Sequence, residues 1–323
     1  IDTIGKKMTV CQLYAKQMRH RGNVRYNTKN GRKRLMKLLE EDKLGGCPID
    51  SVKLSDAKEW AIRMKEKGIS YKTISNDKRS LKAAFYTAIQ DDCIRKNPFD
   101  FQLNTVIEDD TEPKVPLTPA QEESFLSFAQ NDKVYQKYYD ELIILLGTGL
   151  RISELCGLTD TDINFENRII NVDHQLLRSA ETGYYIETPK TKSGIRQIPM
   201  SEKVYEAFNR VLKRRRGAKA VTIDGYSNFL FLNRDGYPKT ATNYDGMFRG
   251  LAKKYNKYHE EALPKVMTPH TLRHTFCTNM ANAGMNPKAL QYIMGHSNIT
   301  MTLNYYAHAT FDSAKAEMLR IAA

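Results

Sequence analysis

Residues 267–280 read MTPHTLRHTFCTNM, and residues 295–309 read GHSNITMTLNYYAHA. The first stretch opens as a helix. Thr268 suits the N-cap, and Pro269 suits the first helical position, where no N–H is needed. His270 and Arg273 stand three apart and share one face of that helix. A face that pairs imidazole with guanidinium is poorly suited to burial unless something anionic sits against it. His274 faces elsewhere. For either histidine a satisfied core position is the plainer reading. In the second stretch Gly295-His296 follows the helical segment KALQYIM, and Tyr305 and Tyr306 follow the short helix ITMTLN. Neither pair is informative by itself, because tyrosine pairs usually pack.

Two more stretches carry unusual polar residues. In TGLRISELCGL (148–158) Thr148-Gly149 closes one helix and Ile152 starts another, with Arg151 at the junction. A guanidinium beside the free N–H groups of a helix start is well placed to hold an anionic oxygen. Glu154, one turn on, can orient it. A surface Arg–Glu pair explains the same residues. YYIETPKTKSGIRQIPM (184–200) reads as a hairpin with Lys192 at its tip. A tip lysine is usually solvated; it can also reach into a groove and donate a proton.

The rest of the chain supplies the frame. Amphipathic patterns predict helices over 9–18, with Thr9 as N-cap, then 28–46, 55–68 and 70–92, and Asn97-Pro98 ends that block. Residues 104–116 (NTVIEDDTEPKVP) are acidic, hold two prolines and lack periodicity, as an exposed linker would. Beyond it, helices are predicted over 119–130, 134–146, 202–215, 240–259, 269–283, 287–294 and 309–320. Strands are predicted over 168–173, 184–188 and 195–199, and FLFLN (229–233) as a short strand or bridge.

With 323 residues, 41% hydrophobic and 27% charged, the chain is an ordinary globular one with room for two domains. Its longest aliphatic run, Leu142–Leu146, is far too short to cross a membrane. No signal-peptide pattern is visible, and a start at Ile1 is expected to lie inside a longer chain. Five scattered cysteines without a CxxC pair read as reduced thiols of a cytosolic protein. Net charge is +13, and it is uneven: residues 1–100 hold 23 Lys and Arg against 12 Asp and Glu, residues 101–323 hold 27 against 25. A basic first third suits a nucleic-acid partner as well as it suits a solvated lysine-rich surface.

Together the four polar stretches are hard to explain blandly. Two arginines, a lysine and two histidines are donors suited to one pentavalent phosphate, and a tyrosine hydroxyl is a suitable nucleophile toward it. The order R…K…HxxR…GH…Y resembles the tyrosine recombinase (phage integrase) family over nearly the whole chain. PKTKSGIRQIPM, TPHTLRHTFCTNMANAGMNPKALQYIMGHSNI and LNYYAHA are most similar to integrases of conjugative transposons.

The resemblance implies a mainly α fold with a small antiparallel β-sheet in two domains. Residues 1–103 would be a helical core-binding domain, 104–116 a linker, and 117–323 a mixed α/β catalytic domain with a tail helix at 309–320. It implies that Arg151 and Arg273 clamp the scissile phosphate and that His270 assists as donor or base. Lys192 would protonate the leaving 5′ oxygen, His296 would donate to the phosphate, and Glu154 would support Arg151. Relatives place the tyrosine nine or ten residues after the GH histidine. The ending Tyr306-Ala307-His308 favours Tyr306 as nucleophile, with Tyr305 in a packing or supporting role. The reaction implied is cleavage through a 3′-phosphotyrosyl bond and resealing by a 5′ hydroxyl, by four protomers through a Holliday junction, with no cofactor and no metal. The partner would be double-stranded DNA, at transposon ends and target sites. The tail helix would dock on a neighbour in a homo-tetramer or pack on its own domain. Whether an excisionase directs the reaction stays open. Relatives also carry a small N-terminal domain for arm-type sites, so this chain is expected to bind core sites without arm-site control. The expected location is the bacterial cytoplasm at the nucleoid, with no membrane partner. A type IB topoisomerase-like DNA-relaxing enzyme is the alternative.

Overall fold

In a computed structural model the described residues are 7–22, 24–113, 115–189, 191–215, 221–306 and 318–319. The chain divides into two compact units, residues 1–113 and 114–323.

The first unit is built from α1 (Val10–His20), α2 (Tyr26–Glu40), α3 (Leu54–Glu66) and α4 (Tyr71–Gln90). Thr9 caps α1 reciprocally with Gln12, which satisfies two donors that the first turn would leave unpaired. Each helix turns one apolar stripe inward. The stripes meet around Trp60, Phe85 and Phe99, with the rings of Trp60 and Phe99 edge to face at 5.7 Å. Helix α2 stops at Glu40, six residues before the predicted end. Asp42 accepts from the backbone N–H of Leu44 at 2.9 Å and takes a two-pronged guanidinium from Arg63 at 2.7 and 2.8 Å. That Asx turn competes with the helix ladder and wins. Burial pushes the Asp42 carboxyl up, but the hydrogen bonds from Arg63 and the Leu44 N–H, with the charges of Arg63 and Lys67, together outweigh it and hold the group below its ordinary range. After α4, Leu103 and Ile107 are buried in this unit and Asp110 pairs with Lys65 at 2.6 Å, so the first half of the acidic stretch is bound rather than extended.

Among its described residues the second unit holds α5 (Pro119–Asn131), α6 (Tyr139–Thr148) and α7 (Ile152–Gly157), then five short strands, then further helices. The strands are β1 (Ile163–Asn164), β2 (Ile169–Val172), β3 (Gln175–Ser179), β4 (Gly183–Glu187) and β5 (Arg196–Pro199). The final helices are α8 (Glu202–Arg215), α9 (Ala241–Tyr258), α10 (Pro269–Asn282), α11 (Pro287–Met294) and α12 (Thr300–Leu303). Helix α6 is apolar almost all round and packs on α8 and α10 at the centre of the core. Its buried Asp140 is held by Arg210 at 2.8 Å and Arg214 at 2.6 Å, both from α8.

The β structure corrects one expectation. Among the described residues all strand pairing is antiparallel, but β4 and β5 do not form a hairpin. Strand β4 pairs with β3, and β5 pairs with β2 in a separate sheet ordered β1-β2-β5. Lys192 therefore lies not at a hairpin tip but on a short 3₁₀ turn, Lys192–Gly194, that carries the chain from one sheet to the other. The stretch 229–233 supplies isolated bridges, Phe229 to Thr159 and Leu232 to Pro238. The predicted tail helix 309–320 lies outside the described residues except for Met318 and Leu319, both exposed. Among the described residues no helix is long and apolar enough to cross a membrane.

Candidate active site

The site starts at the end of α6. Gly149 closes that helix in the left-handed conformation (φ +64°), and a Cβ there would lie 2.4 Å from the Phe276 ring. Only glycine meets both demands. The turn delivers Arg151 to the N-cap of α7. Arg151 gives its backbone N–H to Glu154 at 2.9 Å and its Nη1 to the same carboxylate at 2.7 Å, while Nη2 reaches the carbonyl of Gly295 at 3.0 Å.

Helix α10 is capped as predicted, with Thr268 accepting from Thr271 and Pro269 in its first turn. It delivers Arg273, which is 4% exposed and donates to the carbonyls of Gly149 and Met294. The Gly149 loop and the Met294–Gly295 loop thus share partners: Arg273 bridges both, and Arg151 binds the second. Burial, then the Arg151 charge, pushes Arg273 down to about 9, which leaves it charged at neutral pH.

Helix α11 ends at Gly295, also left-handed (φ +61°). This turns His296 inward, 7% exposed, with Nδ1 at 2.9 Å from the hydroxyl of the fully buried Thr302. Burial, then the charges of Arg273 and Arg151, lowers the His296 pKa to about 4. The imidazole is neutral at pH 7 and carries one N–H.

Arg151, Arg273 and His296 are therefore brought together, although they lie up to a hundred and more positions apart in sequence. Thr191, just before the Lys192 turn, and Gly194, its last residue, line a cleft of about 300 Å³ with Arg151, Glu154, Gln175, Pro189 and Gly295. Lys192 itself is exposed beside it. His270 is exposed on α10, and its ring stands edge-on to His274 at 4.6 Å. His274 does not face elsewhere: it contacts His270 and bonds the hydroxyl of Tyr305. Tyr306 donates instead to the carbonyl of Met285, and both tyrosines pack on a small apolar cluster of Phe276, Cys277, Leu290 and Met294. Among the described residues no hydrogen bond joins either phenol to Arg151, Arg273 or His296. Burial, with the nearby Cys277, raises both phenols, Tyr305 to about 12.

Three features escape the sequence reading. Glu154 is held mainly by a second arginine, Arg196, which forks onto both its oxygens at 2.9 and 3.1 Å. Burial alone would push Glu154 up; the hydrogen bonds and charge of Arg196, then Arg151, hold it down at about 2. The available signal was the strand alternation, which puts Arg196 on the inward side with Ile198. Thr302, the partner of His296, has no sequence signal beyond its helical position. Finally, the fold gathers Asp162, Asp173 and His174 within 4.8 Å, where the sequence offers no spaced ligand set. Their atoms are already engaged: His174 spans the Gly157 carbonyl and Asp173 at 2.7 and 2.6 Å, and Thr159 donates twice to Asp162.

Comparison with known proteins identifies the family of the chain. Residues 116–313 match the model of the phage integrase family. The chain is 69% identical over 321 residues to the transposase from transposon Tn916 of Enterococcus faecalis, covering 99% of this chain and 79% of the relative. It superimposes on the Tn1549 transposon integrase in complex with a circular intermediate DNA with a TM-score of 0.92 and 78% identity, covering 97% of this chain and 99% of that one. A Tn1549 integrase in complex with transposon right end DNA gives a TM-score of 0.92 at 77% identity, covering 98% and 100%.

Proposed function

The chain belongs to the phage integrase family, and from that premise we propose that it is the site-specific tyrosine recombinase that integrates and excises a conjugative transposon. It cuts and rejoins DNA. The observation that carries the site assignment is the convergence of Arg151, Arg273 and His296 on the two loops at Gly149 and Gly295.

The chemistry follows from charge. Attack on a phosphodiester builds negative charge on the non-bridging oxygens. Two guanidiniums and an imidazole N–H fixed in advance stabilise it without reorganising. Arg151 and Arg273 hold those oxygens and His296 donates to one of them. Lys192, on the border of the cleft, gives a proton to the leaving 5′ oxygen. Tyr306 is the nucleophile, and its oxygen forms the phosphotyrosyl bond while the 5′ hydroxyl departs. His270 assists as donor or base. The resulting ester keeps the bond energy, so a 5′ hydroxyl from the partner DNA reseals the strand without ATP. The Tyr306 hydroxyl donates to the Met285 carbonyl, so attack on the phosphate requires that hydrogen bond to break and the phenol to turn toward the arginines. Double-stranded DNA at the transposon ends and target sites is the substrate, and a homo-tetramer joined through the C-terminal tail is the assembly. The relatives are transposases, integrases and recombinases, which does not favour a topoisomerase-like relaxing enzyme.

A nicked suicide substrate tests the assignment. It should trap a covalent complex in EDTA, and peptide mapping should place the bond on Tyr306. Trapping by Tyr306→Phe but not by Tyr305→Phe reverses the choice of nucleophile. A 5′-phosphorothiolate leaving group should rescue Lys192→Ala; no rescue assigns the lysine another role.

A further inference from the structure

Arg196 lies on β5 opposite Val172, and its side chain has no exposed surface. A buried guanidinium is costly unless every direction it points in meets an acceptor. This one is met on three sides. Nε donates to the carbonyl of Ile293 at 2.5 Å, Nη1 to the carbonyl of Gly194 at 3.0 Å, and Nη1 and Nη2 to the Glu154 carboxylate at 3.1 and 2.9 Å.

These acceptors belong to three separate parts of the site. Gly194 ends the turn that carries Lys192. Ile293 precedes the Met294–His296 segment. Glu154 holds Arg151 by backbone and side chain. Gly295 lies directly over the guanidinium: a Cβ there would stand 3.1 Å from Nη1, 3.2 Å from Cζ and 3.0 Å from the Ser193 carbonyl. The plane of Arg196 is thus the surface on which the loop before His296 rests.

We infer that Arg196 is a positioning residue for phosphate cleavage. It sets the mutual spacing of Arg151, the Lys192 turn and Gly295-His296, and it does so without touching DNA. The inference rests on the site reading above. The residue type matters because only a planar fork spans a carboxylate and two carbonyls at once. Lysine keeps the charge but presents a single point of donors. Misplacing reacting groups by about 1 Å costs on the order of 10²-fold in rate.

The test uses the full chain with Arg196→Lys. Affinity for core-site DNA is measured at fixed salt, covalent-complex formation in single turnover on a nicked suicide substrate, and melting by calorimetry. The expected result is affinity within about threefold of wild type, cooperative melting, and cleavage slower by about 10²-fold. Glu154→Gln keeps the shape of the fork and weakens its charge, and it carries the same split between binding and chemistry if Arg196→Lys does not melt cooperatively. The double variant should be no more than about threefold slower than the slower single one, since both act through one network. Three results overturn the inference: Arg196→Lys cleaving within about threefold of wild type, rate losses that only follow lost DNA binding, or losses that multiply in the double variant. Arg151→Ala on the same substrate separates the two levels. If it abolishes cleavage while Arg196→Lys and Glu154→Gln do not, positioning alone fails. If Arg151→Ala cleaves normally, the phosphate site fails and the inference falls with it.

Discussion

Thr302→Val is the sharpest probe of how the proposed phosphate donors are prepared. The substitution is nearly isosteric and removes one hydroxyl, at a position with no exposed surface. That hydroxyl lies 2.9 Å from Nδ1 of His296, whose ring is neutral because burial and the neighbouring arginines lower its pKa to about 4. A threonine O–H donating to Nδ1 leaves the single ring proton on Nε2, the nitrogen free to face a phosphate. Without it, Nδ1 is a buried polar atom with no partner, at a cost of about 1–3 kcal/mol. For a unit of this size each kcal/mol moves Tm by about 2–4 °C, so the variant should melt about 2–12 °C lower. Loss of one preorganised donor slows attack by on the order of 10²-fold. Calorimetry reads the first effect and single-turnover trapping on a suicide substrate reads the second. Thr302→Ser should restore both. A Thr302→Val protein with wild-type Tm and wild-type cleavage refutes the reasoning. So does ¹⁵N NMR that puts the proton of the wild-type ring on Nδ1.

Further expectations follow from the same geometry. His296 has an ordinary pKa of 6.5 when unfolded and about 4 when folded, so between these values the unfolded chain holds a proton that the folded chain lacks. Glu154 goes from 4.5 to about 2 on folding, which favours folding at high pH and is lost as pH falls from 4.5 through about 2. Both effects make the second unit less stable on acidification below pH 6.5. A Tm–pH series should show this, and His296→Gln should flatten the upper part of the slope. Leu145→Ala, at a fully buried position of α6, should cost about 2–5 kcal/mol in chemical denaturation. Binding to core-site DNA should weaken by about 10³- to 10⁵-fold between 50 and 200 mM salt if 6–10 phosphates are contacted. A shallow slope in a titration series argues for few phosphate contacts.

Much of the helical framework was legible because its signals are local. Thr9 and Thr268 cap the helices they precede, Pro269 sits in the first turn, Gly149 closes α6, and α11 runs over the predicted residues 287–294. The acidic and prolyl stretch near 104–116 stood out by composition, and the division between units falls within it. The strands were harder. Alternation shows that 184–188 and 195–199 are extended, but not which strand each one pairs with, and the two join different sheets rather than each other. The extended run Gln175–Ser179, which is the true partner of β4, has too mixed a pattern to declare itself. Helix α2 ends before its local pattern does because Asp42, in the turn that follows it, is held by Arg63, twenty-one residues further on.

The sequence by itself determined the order of the helices, their caps and breaks, and the set of cationic and phenolic residues that pointed to phosphate chemistry. These are properties of neighbours along the chain. Tertiary structure alone decided that β4 and β5 part into different sheets, that Glu154 is gripped by Arg196 as well as Arg151, that Thr302 holds His296, and that Tyr306 rests on Met285. Each of these depends on hydrogen bonds between residues that are distant in sequence or set by a loop's path. Such bonds form only after burial has removed water as the competing partner.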